Sequence, residues 1–593
     1  MGDQPGNKHD ARTSSMARTA PQYMGALFVG LLVLRIINAL MIKTSFQPDE
    51  YFQSLEPALE TAFGPSVNAW ITWEWHERLR SSLHPLLFAS IYNLADSIST
   101  TLGLTPSVRA EVLVAAPKVL QAVFAALTDA YTYRLACDIY GSKSHASAAA
   151  LVLSITSPWQ WFASVRTLSN SMETTLTIIA LRLWPWDLLL GSSPEEKQTA
   201  SNSSSTGLYG SLCAAAIACI LRPTNIIIWA TISITVVFRY GGKQAALRLA
   251  TAASICGSAV LAVSVAADRA FYDELVLPPL RFLHFNVVQS LAVFYGQNRL
   301  DYYITEGLPL LLTTALPFGA VALWQALYSL RKDTSSSNAE YRMTAISSTL
   351  ALTVITSVLA LGGISHKEVR FIYPLLPMLH VLAAEPFSSF FRRPARPSRI
   401  IILTLAAAIN VAVMYYTSYV HQRGVVDVMH YLRHQHEKKL ALSSTPGAGE
   451  MVATTVAFLM PCHSTPWRSH LVYPEIEAGA LTCEPPIGLS VEERLGYMDE
   501  ADVFYANPIA WVEDNMANTA SIRHGSSMDA GTSSDDEKLG WPQYLVFFQQ
   551  LEPTMKEVLE GTKYRECWRG FNTHFHDDWR RNGDVVVWCM AES

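Results

Sequence analysis

Two adjacent carboxylates, Asp49 and Glu50, stand directly after the first long apolar segment of the chain. Carboxylates beside a membrane-spanning segment are costly to desolvate, so they usually have a functional role. One of them can act as a general base on a substrate hydroxyl, while the other orients it or binds the substrate. The structural alternative is the first turn of a helix after Pro48, where the helix dipole favours acidic side chains. The pair alone leaves both interpretations open.

Aromatic residues follow the acidic pair in the same loop, and Trp73, Glu74 and His76 lie among them. Tryptophans are common anchors at membrane interfaces. They also offer flat surfaces for the apolar face of a sugar. A single tryptophan is better explained as an anchor, but the cluster with Glu74 and His76 favours a sugar-binding site. In such a site, the acidic pair would act on a sugar hydroxyl.

A charged segment that includes His366, Lys367, Glu368 and Arg370 separates two apolar segments. Ionisable residues in such a position generally face a cavity and pair with each other. Lys367 and Arg370 are suited to hold a phosphate, because arginine offers a fork of donors and lysine a point charge. The structural alternative is that the segment caps two helices, with Glu368 balancing a cation.

A further polar segment, residues 166–173, begins with Arg166, which either joins the phosphate site or ends a helix. Walker loops, GxGxxG motifs after a strand and DxD motifs are absent from the sequence. His574 and His576 precede two aspartates, but such a short cluster is more typical of a polar surface than of a metal site. We therefore expect no metal and no cofactor. A phosphate-bearing donor would be a lipid that reaches the site from the bilayer.

The chain that must position these residues is 50% hydrophobic and 16% charged, whereas soluble proteins have about 25% charged residues. Apolar segments of about 20 residues, enough to span the hydrocarbon core, recur up to about residue 420. The composition predicts a polytopic α-helical membrane protein with about eleven spans. The sequence contains no basic tract interleaved with aromatic residues, so nothing in it indicates binding to nucleic acid.

The positions of lysine and arginine predict the sidedness of the loops. The polar tail 1–22 is expected to be disordered and cytoplasmic, so the loop 43–112, which carries Asp49, is expected to be lumenal. A transmembrane catalytic domain is predicted over residues 23–420. Its later apolar segments, separated by basic loops, are 246–267, 306–330, 342–363, 369–385 and 400–419.

Two topologies are compatible with residues 80–238. In the first, residues 82–98 span the membrane. In the second, they form a lumenal amphipathic helix, and segment 206–238 divides into two short helices at Arg222–Asn225. We prefer the second, because it places the polar segments on the same side as the acidic pair. The sequon at Asn202 would be lumenal only in the first topology, so a glycan there would exclude the second.

Residues 421–593 are predicted to form a lumenal mixed α/β domain. Buried strands are expected at 451–459, 544–548 and 584–589, and a disordered insertion at 521–540. Four cysteines in this part permit three pairings, and disulfides would require an oxidising compartment. Four unpaired thiols are the alternative. The pairs we favour, because they are nearest in sequence, are Cys462–Cys483 and Cys567–Cys589.

Several motifs, in their order along the chain, resemble the ALG9-like α-mannosyltransferases (glycosyltransferase family 22), which have the GT-C fold. The segment Leu459–Trp467 resembles the branch of this family that acts on GPI-anchor precursors. The resemblance covers nearly the whole chain from about residue 24. The other motifs are Pro48-Asp49-Glu50-Tyr51, Thr72-Trp73-Glu74-Trp75 with His84-Pro85, Arg166-Thr167 to Glu173, and His366-Lys367-Glu368 with Arg370-Phe371.

The resemblance implies a multi-pass enzyme of the endoplasmic reticulum membrane with a lumenal active site. It would transfer mannose from dolichyl phosphate mannose, in α-1,2 linkage and with inversion, to the second mannose of a GPI lipid intermediate. Asp49 would be the base, and Glu50 would support it or bind acceptor hydroxyls. The residues expected to bind the donor phosphate are Lys367, Arg370 and Arg166, and those expected to bind the sugars are Trp73, Glu74, His84 and His366.

Two other functions are alternatives to this one. A sister enzyme would add α-1,2-mannose to the dolichol-linked oligosaccharide used for N-glycosylation, but the segment Pro461–Trp467 argues against it. A membrane transporter or lipid translocator would show paired repeats with broken helices. The sequence has no such symmetry.

Overall fold

A computed structural model of the chain describes residues 10–186, 201–239, 243–288, 294, 296–329, 338–392, 396–443, 453–494, 496–522 and 538–590. This part is mostly helical and divides into two compact units. The helical unit comprises Met1–Met41, Lys118–Ala270 and Gln297–Met414, and the sheet unit comprises Ile42–Pro117, Phe271–Gly296 and Tyr415–Ser593.

Long apolar helices confirm that the chain is a polytopic membrane protein. Six helices in the described ranges are long and apolar enough to cross a membrane, and three shorter apolar helices accompany them. The total number of spans stays a prediction. The six are Tyr23–Met41, Pro106–Tyr140, Ala246–Tyr272, Tyr303–Ser329, Glu340–Gly362 and Pro397–Ser443, and the shorter three are His145–Ile155, Thr206–Leu221 and Pro223–Arg239.

The first helix begins at Asp10, before the apolar segment. The expectation of a disordered tail over residues 1–22 therefore differs from the structure over residues 10–22. Extending an existing helix costs much less than nucleating one, so polar residues can continue a helix that the apolar segment establishes. The insertion predicted at 521–540 lies largely outside the described residues, as does the side chain of Asn202.

Two interruptions of the helices occur at prolines. The helix Ser201–Leu221 ends before Arg222, a 3-10 turn spans Pro223–Asn225, and the helix Ile226–Arg239 follows. Arg222 is extended because a residue before proline avoids the α region. Similarly, the apolar segment 369–385 begins with the 3-10 helix Val369–Leu375, which contains Pro374. The division into two short helices is confirmed, while the sidedness of their loops stays a prediction.

The remaining helices complete the core of the helical unit, which is built mainly from leucine, isoleucine, valine and alanine. Further helices that lie wholly in this unit are Pro158–Ala163, Ser169–Leu183 and Leu376–Arg392.

The sheet unit contains a five-stranded mixed sheet with the order β2-β1-β3-β5-β4. Strand β1 is parallel to β2 and β3, whereas β5 is antiparallel to β3 and β4. The central strand β3 is buried along its whole length, as its continuous apolar sequence predicts. The strands are β1 Thr454–Phe458, β2 Ile476–Ala480, β3 Tyr544–Phe548, β4 Tyr564–Thr573 and β5 Gly583–Met590.

Strands β1, β3 and β5 confirm the three predicted strands, whereas the edge strands β2 and β4 were missed because neither is a buried apolar run. The structure therefore confirms a mixed α/β C-terminal region. The helices of the sheet unit are Asp49–Phe52, Leu55–Phe63, Trp73–His76, Leu83–Thr101, Pro278–Leu283, Gly424–Ser443, Arg468–Leu471, Val491–Arg494, Glu500–Ala506, Pro508–Asn515 and Glu552–Val558.

Two disulfides lie in the sheet unit, in the favoured pairing. The Cα atoms of Cys462 and Cys483 are 5.8 Å apart, and those of Cys567 and Cys589 are 5.9 Å apart. The second disulfide joins the neighbouring strands β4 and β5. Each disulfide closes a loop, which limits the conformational freedom of the unfolded chain.

Replacing both Cys567 and Cys589 by serine is expected to destabilise the sheet unit by about 2–4 kcal/mol, because it opens a loop between residues 22 positions apart. Thermal unfolding of the detergent-purified protein under non-reducing conditions measures the change. Cys137→Ser, which removes a free cysteine of the helical unit, serves as the control. An equal melting temperature for the two variants would contradict this prediction.

Candidate active site

The acidic pair forms the first turn of the short helix Asp49–Phe52, directly after Pro48. Glu50 is buried, and its carboxylate accepts a hydrogen bond of 2.9 Å from the backbone N–H of Phe46. Asp49 is only half-buried. The helix-start geometry is therefore present, and it gives the two carboxylates different surroundings. Glu50 folds the loop back on itself, whereas Asp49 is the more accessible of the two.

Glu74 joins the aromatic segment to the acidic helix. Its carboxylate accepts a hydrogen bond of 2.8 Å from Gln53 Nε2 and one of 2.9 Å from Arg80 Nη2. Trp75 is buried and donates from its indole Nε1 to the carbonyl of Phe52 at 2.9 Å. The loop around the acidic pair is thus held by side chains that follow it by about twenty to thirty residues in sequence. Trp73 is half-buried at the start of the short helix Trp73–His76.

Glu56 links this loop to a segment far along the chain. Its carboxylate accepts hydrogen bonds from the backbone N–H of Ser469 at 2.9 Å and of Trp70 at 3.3 Å. Complete burial raises the pKa of Glu56 to about 7, although these hydrogen bonds and the charge of Arg468 oppose the rise. Nothing in the local sequence marks Glu56, because its hydrogen-bond partner lies 413 residues away.

His463 packs against the acidic loop from the same distant segment. Its ring centroid lies 4.4 Å from that of Phe52 and 4.5 Å from that of Trp70. Burial and then the charge of Arg581 lower the pKa of His463 to about 4, while the charge of Asp49 raises it. The imidazole is therefore neutral at pH 7, and it lies within electrostatic range of the predicted base. The sequence signal was the motif Pro461–Trp467, which suggested a family branch but not a contact.

The backbone at His463 has a φ of +54°, which a residue other than glycine adopts only when its surroundings enforce it. The disulfide between Cys462 and Cys483 is one such constraint. The sulfurs and the imidazole are the only group of three potential metal ligands found in the described part of the chain. Cysteine binds a metal as the thiolate, so the disulfide-bonded Cys462 and Cys483 do not form a metal site.

His84 is buried in the helix Leu83–Thr101, with its ring edge-on to Phe88 at 5.1 Å. Neither ring nitrogen has a hydrogen-bond partner among the residues that the structure describes. Burial, with a smaller contribution from the charge of Arg80, lowers the pKa of His84 to about 4. His84 is thus neutral and enclosed, and its expected contact with a sugar stays a prediction.

In the helical unit, Glu368 contacts two other side chains of the charged segment, those of His366 and Arg370. Arg370 donates to its carboxylate from Nε at 2.8 Å and from Nη2 at 2.7 Å, and His366 Nε2 lies 3.2 Å from it. Burial raises the pKa of Glu368, but the charge of Arg370 and the hydrogen bonds outweigh burial and hold it below the usual range. Glu368 therefore balances the charge of Arg370, as the helix-capping alternative expected.

Lys367 is buried and attached to Asn298. Its ammonium donates to the carbonyl of Asn298 at 3.1 Å, and its backbone N–H donates to the amide oxygen of Asn298 at 2.8 Å. The two cations Lys367 and Arg370 with the one carboxylate of Glu368 leave one positive charge on the segment. An excess positive charge is what an anionic phosphate requires.

The other polar segments of the helical unit meet at Glu173. Asn225 donates from Nδ2 to its carboxylate at 2.8 Å. Arg222 lies over the ring of Phe371 at 5.2 Å, so the turn at 222–225 also contacts the charged segment. The helical unit thus brings together three polar segments that the sequence analysis identified separately.

Arg166 follows the helix Pro158–Ala163. It donates from Nε to the carbonyl of Phe162 at 3.1 Å, and its guanidinium lies 4.3 Å from the centre of that ring. Both contacts agree with the helix-ending alternative. A role for Arg166 in binding the donor phosphate stays a prediction.

Residues 26–472 match the Alg9-like mannosyltransferase family. Since the match covers most of the sequence, the chain belongs to the Alg9-like mannosyltransferase family and is a membrane glycosyltransferase.

Named relatives are similar over almost the whole chain. The chain is 45% identical to GPI mannosyltransferase 3 of Aspergillus fumigatus, over 97% of this chain and 79% of that protein. It is 31% identical to GPI alpha-1,2-mannosyltransferase 3 of Mus musculus, over 94% of this chain and 87% of that protein.

A solved structure has the same fold. ArnT from Cupriavidus metallidurans bound to undecaprenyl phosphate superposes with a TM-score of 0.53 at 12% identity, over 97% of this chain and 99% of that one. At this identity the likeness concerns the fold alone. It confirms the predicted GT-C-like class.

Glu56→Gln is expected to flatten the dependence of stability on pH. The pKa of Glu56 rises from 4.5 in the unfolded chain to about 7 in the folded protein. The stability that this protonation contributes is fully present below the unfolded value and is lost as the pH rises through about 7. Between about pH 5 and pH 7.5, the melting temperature of the unaltered protein should fall more steeply than that of Glu56→Gln. Equal slopes would show that Glu56 does not titrate in this range.

Proposed function

We propose that this chain transfers mannose from dolichyl phosphate mannose to the second mannose of a GPI-anchor precursor, in α-1,2 linkage. The identity with GPI mannosyltransferase 3 of Aspergillus fumigatus over 97% of the chain carries the proposal. The lipid-linked substrates agree with a membrane-embedded enzyme that has an excess cation beside apolar helices.

The reaction is a single displacement at the anomeric carbon. Asp49 removes the proton from the acceptor's 2-hydroxyl, and the new C–O bond forms opposite the breaking bond to the phosphate oxygen. The β-linked donor thereby becomes an α-linked product. The phosphate leaves with the bonding electrons, and Lys367, Arg370 and Arg166 stabilise its negative charge.

The surroundings of the acidic pair support Asp49 as the base. Glu50 is buried and occupied by the N–H of Phe46, whereas Asp49 is more exposed. A base must reach the hydroxyl within about 3 Å, which favours the accessible carboxylate. Glu50 then holds the loop, and Trp73, Glu74, His84 and His366 are the remaining candidates for sugar contacts.

The active site is proposed to face the lumen of the endoplasmic reticulum. The disulfides of the sheet unit support this side, because they persist only in an oxidising compartment. The acidic helix belongs to the same unit as the disulfides, which supports the same side of the membrane for both.

Asp49→Asn is expected to abolish transfer, since an amide cannot accept the proton, while the protein still reaches the membrane. Cells depleted of the enzyme and supplied with this variant should accumulate a two-mannose GPI species. Glu50→Gln serves as the matched variant and should retain part of the activity with lowered stability. Normal GPI products from Asp49→Asn would remove Asp49 from the role of base. Accumulation of a truncated dolichol oligosaccharide would instead assign the enzyme to N-glycan assembly.

Arg370→Met is expected to raise the KM for dolichyl phosphate mannose by about tenfold or more, because a charge-assisted contact to the phosphate is lost. Initial rates of labelled-mannose transfer by the purified protein measure the effect. Arg299→Met is the control, because Arg299 forms an exposed ion pair with Asp301 in the same unit. Similar KM values for the two variants would argue against Arg370 as a phosphate ligand.

A further inference from the structure

An ion pair without any exposure to solvent lies inside the helical unit. Arg35, in the first helix, donates from Nε to Oδ2 of Asp129 at 2.6 Å and from Nη2 to Oδ1 at 3.0 Å. Both residues belong to helices apolar enough to span the membrane. Charges at such depth are expensive and generally have a function. The mechanism above does not use them.

Asp129 leads from this pair to the charged segment through two side chains. Gln160 donates from Nε2 to Oδ1 of Asp129 at 3.3 Å, and Gln160 Oε1 accepts a hydrogen bond of 2.7 Å from the hydroxyl of Tyr373. Because the carboxylate accepts from the amide nitrogen, the amide oxygen is turned towards Tyr373. Tyr373 lies in the 3-10 helix Val369–Leu375, which also carries Arg370.

The helix that carries Gln160, Pro158–Ala163, ends three residues before Arg166. Phe162 provides both the ring under the Arg166 guanidinium and the carbonyl that accepts from its Nε. Two residues after Phe162, the carbonyl of Ser164 accepts a hydrogen bond of 2.9 Å from the buried side chain of Gln121. Gln160 thus connects the helix that precedes one predicted phosphate ligand to the segment that holds the other.

We propose that the Arg35–Asp129 pair, acting through Gln160 and Tyr373, is a positioning network for Arg166 and Arg370. The inference rests on the proposed function, in which these two arginines bind the donor phosphate. The pair is neutral as a unit, so it adds orientation to the site and no net charge. Its role is to fix the distance between two cationic side chains that must grip one phosphate.

Stabilisation of the fold is the competing explanation. A buried ion pair is weak evidence for stability, because apolar residues of similar volume often replace such a pair without loss. A positioning role predicts a specific loss of donor binding when the network is cut, even where the melting temperature is unchanged. The two explanations therefore differ in a measurable way.

Tyr373→Phe removes only the hydroxyl that joins Tyr373 to Gln160. We expect the KM for dolichyl phosphate mannose to rise by about fivefold to tenfold, as for one lost hydrogen bond, with kcat changed less than about twofold. Tyr140→Phe is the matched control, because Tyr140 donates to the carbonyl of Val381 at 3.1 Å in the same unit. An unchanged KM, or an equal rise in Tyr140→Phe, would overturn the proposal.

A second variant keeps the test independent of folding defects. Arg35→Met combined with Asp129→Leu replaces the pair by apolar residues and should raise the KM without lowering the melting temperature. Adding Tyr373→Phe to this background should raise the KM no further, because the network is already cut. Multiplicative effects would refute a shared network. Absence of mannose transfer by the unaltered protein would refute the proposed function itself, which distinguishes the two failures.

Discussion

Buried carboxylates that accept hydrogen bonds from another chain segment are the interaction on which this structure depends. Glu56 accepts a hydrogen bond from the N–H of Ser469, and Glu173 accepts one from the side-chain amide of Asn225. Asp129 accepts one from the guanidinium of Arg35. A carboxylate removed from water is costly unless such donors compensate it. Each of these contacts therefore selects one arrangement of two segments, whereas apolar packing alone tolerates several.

The proposed transfer reaction places different demands on the two compact units. In the sheet unit, a short helix must hold one accessible carboxylate in a fixed place, and Glu50, Glu74 and Trp75 attach that helix on several sides. In the helical unit, cationic side chains must stay charged beside apolar helices. The carboxylate of Glu368 offsets the free-energy cost of burying the charge of Arg370. Rigid positioning of few groups suits a reaction in which a base and a charge-stabilising site suffice.

The sequence predicted those features whose cause is local. Apolar length predicted the membrane helices, the polar segment Arg222–Asn225 marked the division between two short helices, and a continuous apolar run predicted the central strand β3. The edge strand β2, with its glutamate and glycine, lacked any apolar run. Arg35 was hidden because one arginine scarcely alters the hydropathy of a long apolar segment.

Within the candidate site, residue types and order identified the acidic pair and the charged segment, but not their partners. His463 and Glu56 take their roles from contacts between segments about four hundred residues apart. Such contacts follow from the tertiary fold, and no periodicity or motif spacing encodes them. The local pattern at Asp49 and Glu50 also could not separate the two carboxylates, since only burial distinguishes them.

The distance along the chain between Glu56 and Ser469 has a consequence during synthesis. Ribosomes add roughly 5–20 residues per second, so the 413 residues between them require roughly 20–80 s. Throughout that interval the carboxylate of Glu56 exists without its later partner, and the loop that bears Asp49 lacks the support of His463. The loop that bears Asp49 is among the first parts of the enzyme to be made, yet it is among the last to gain all of its contacts.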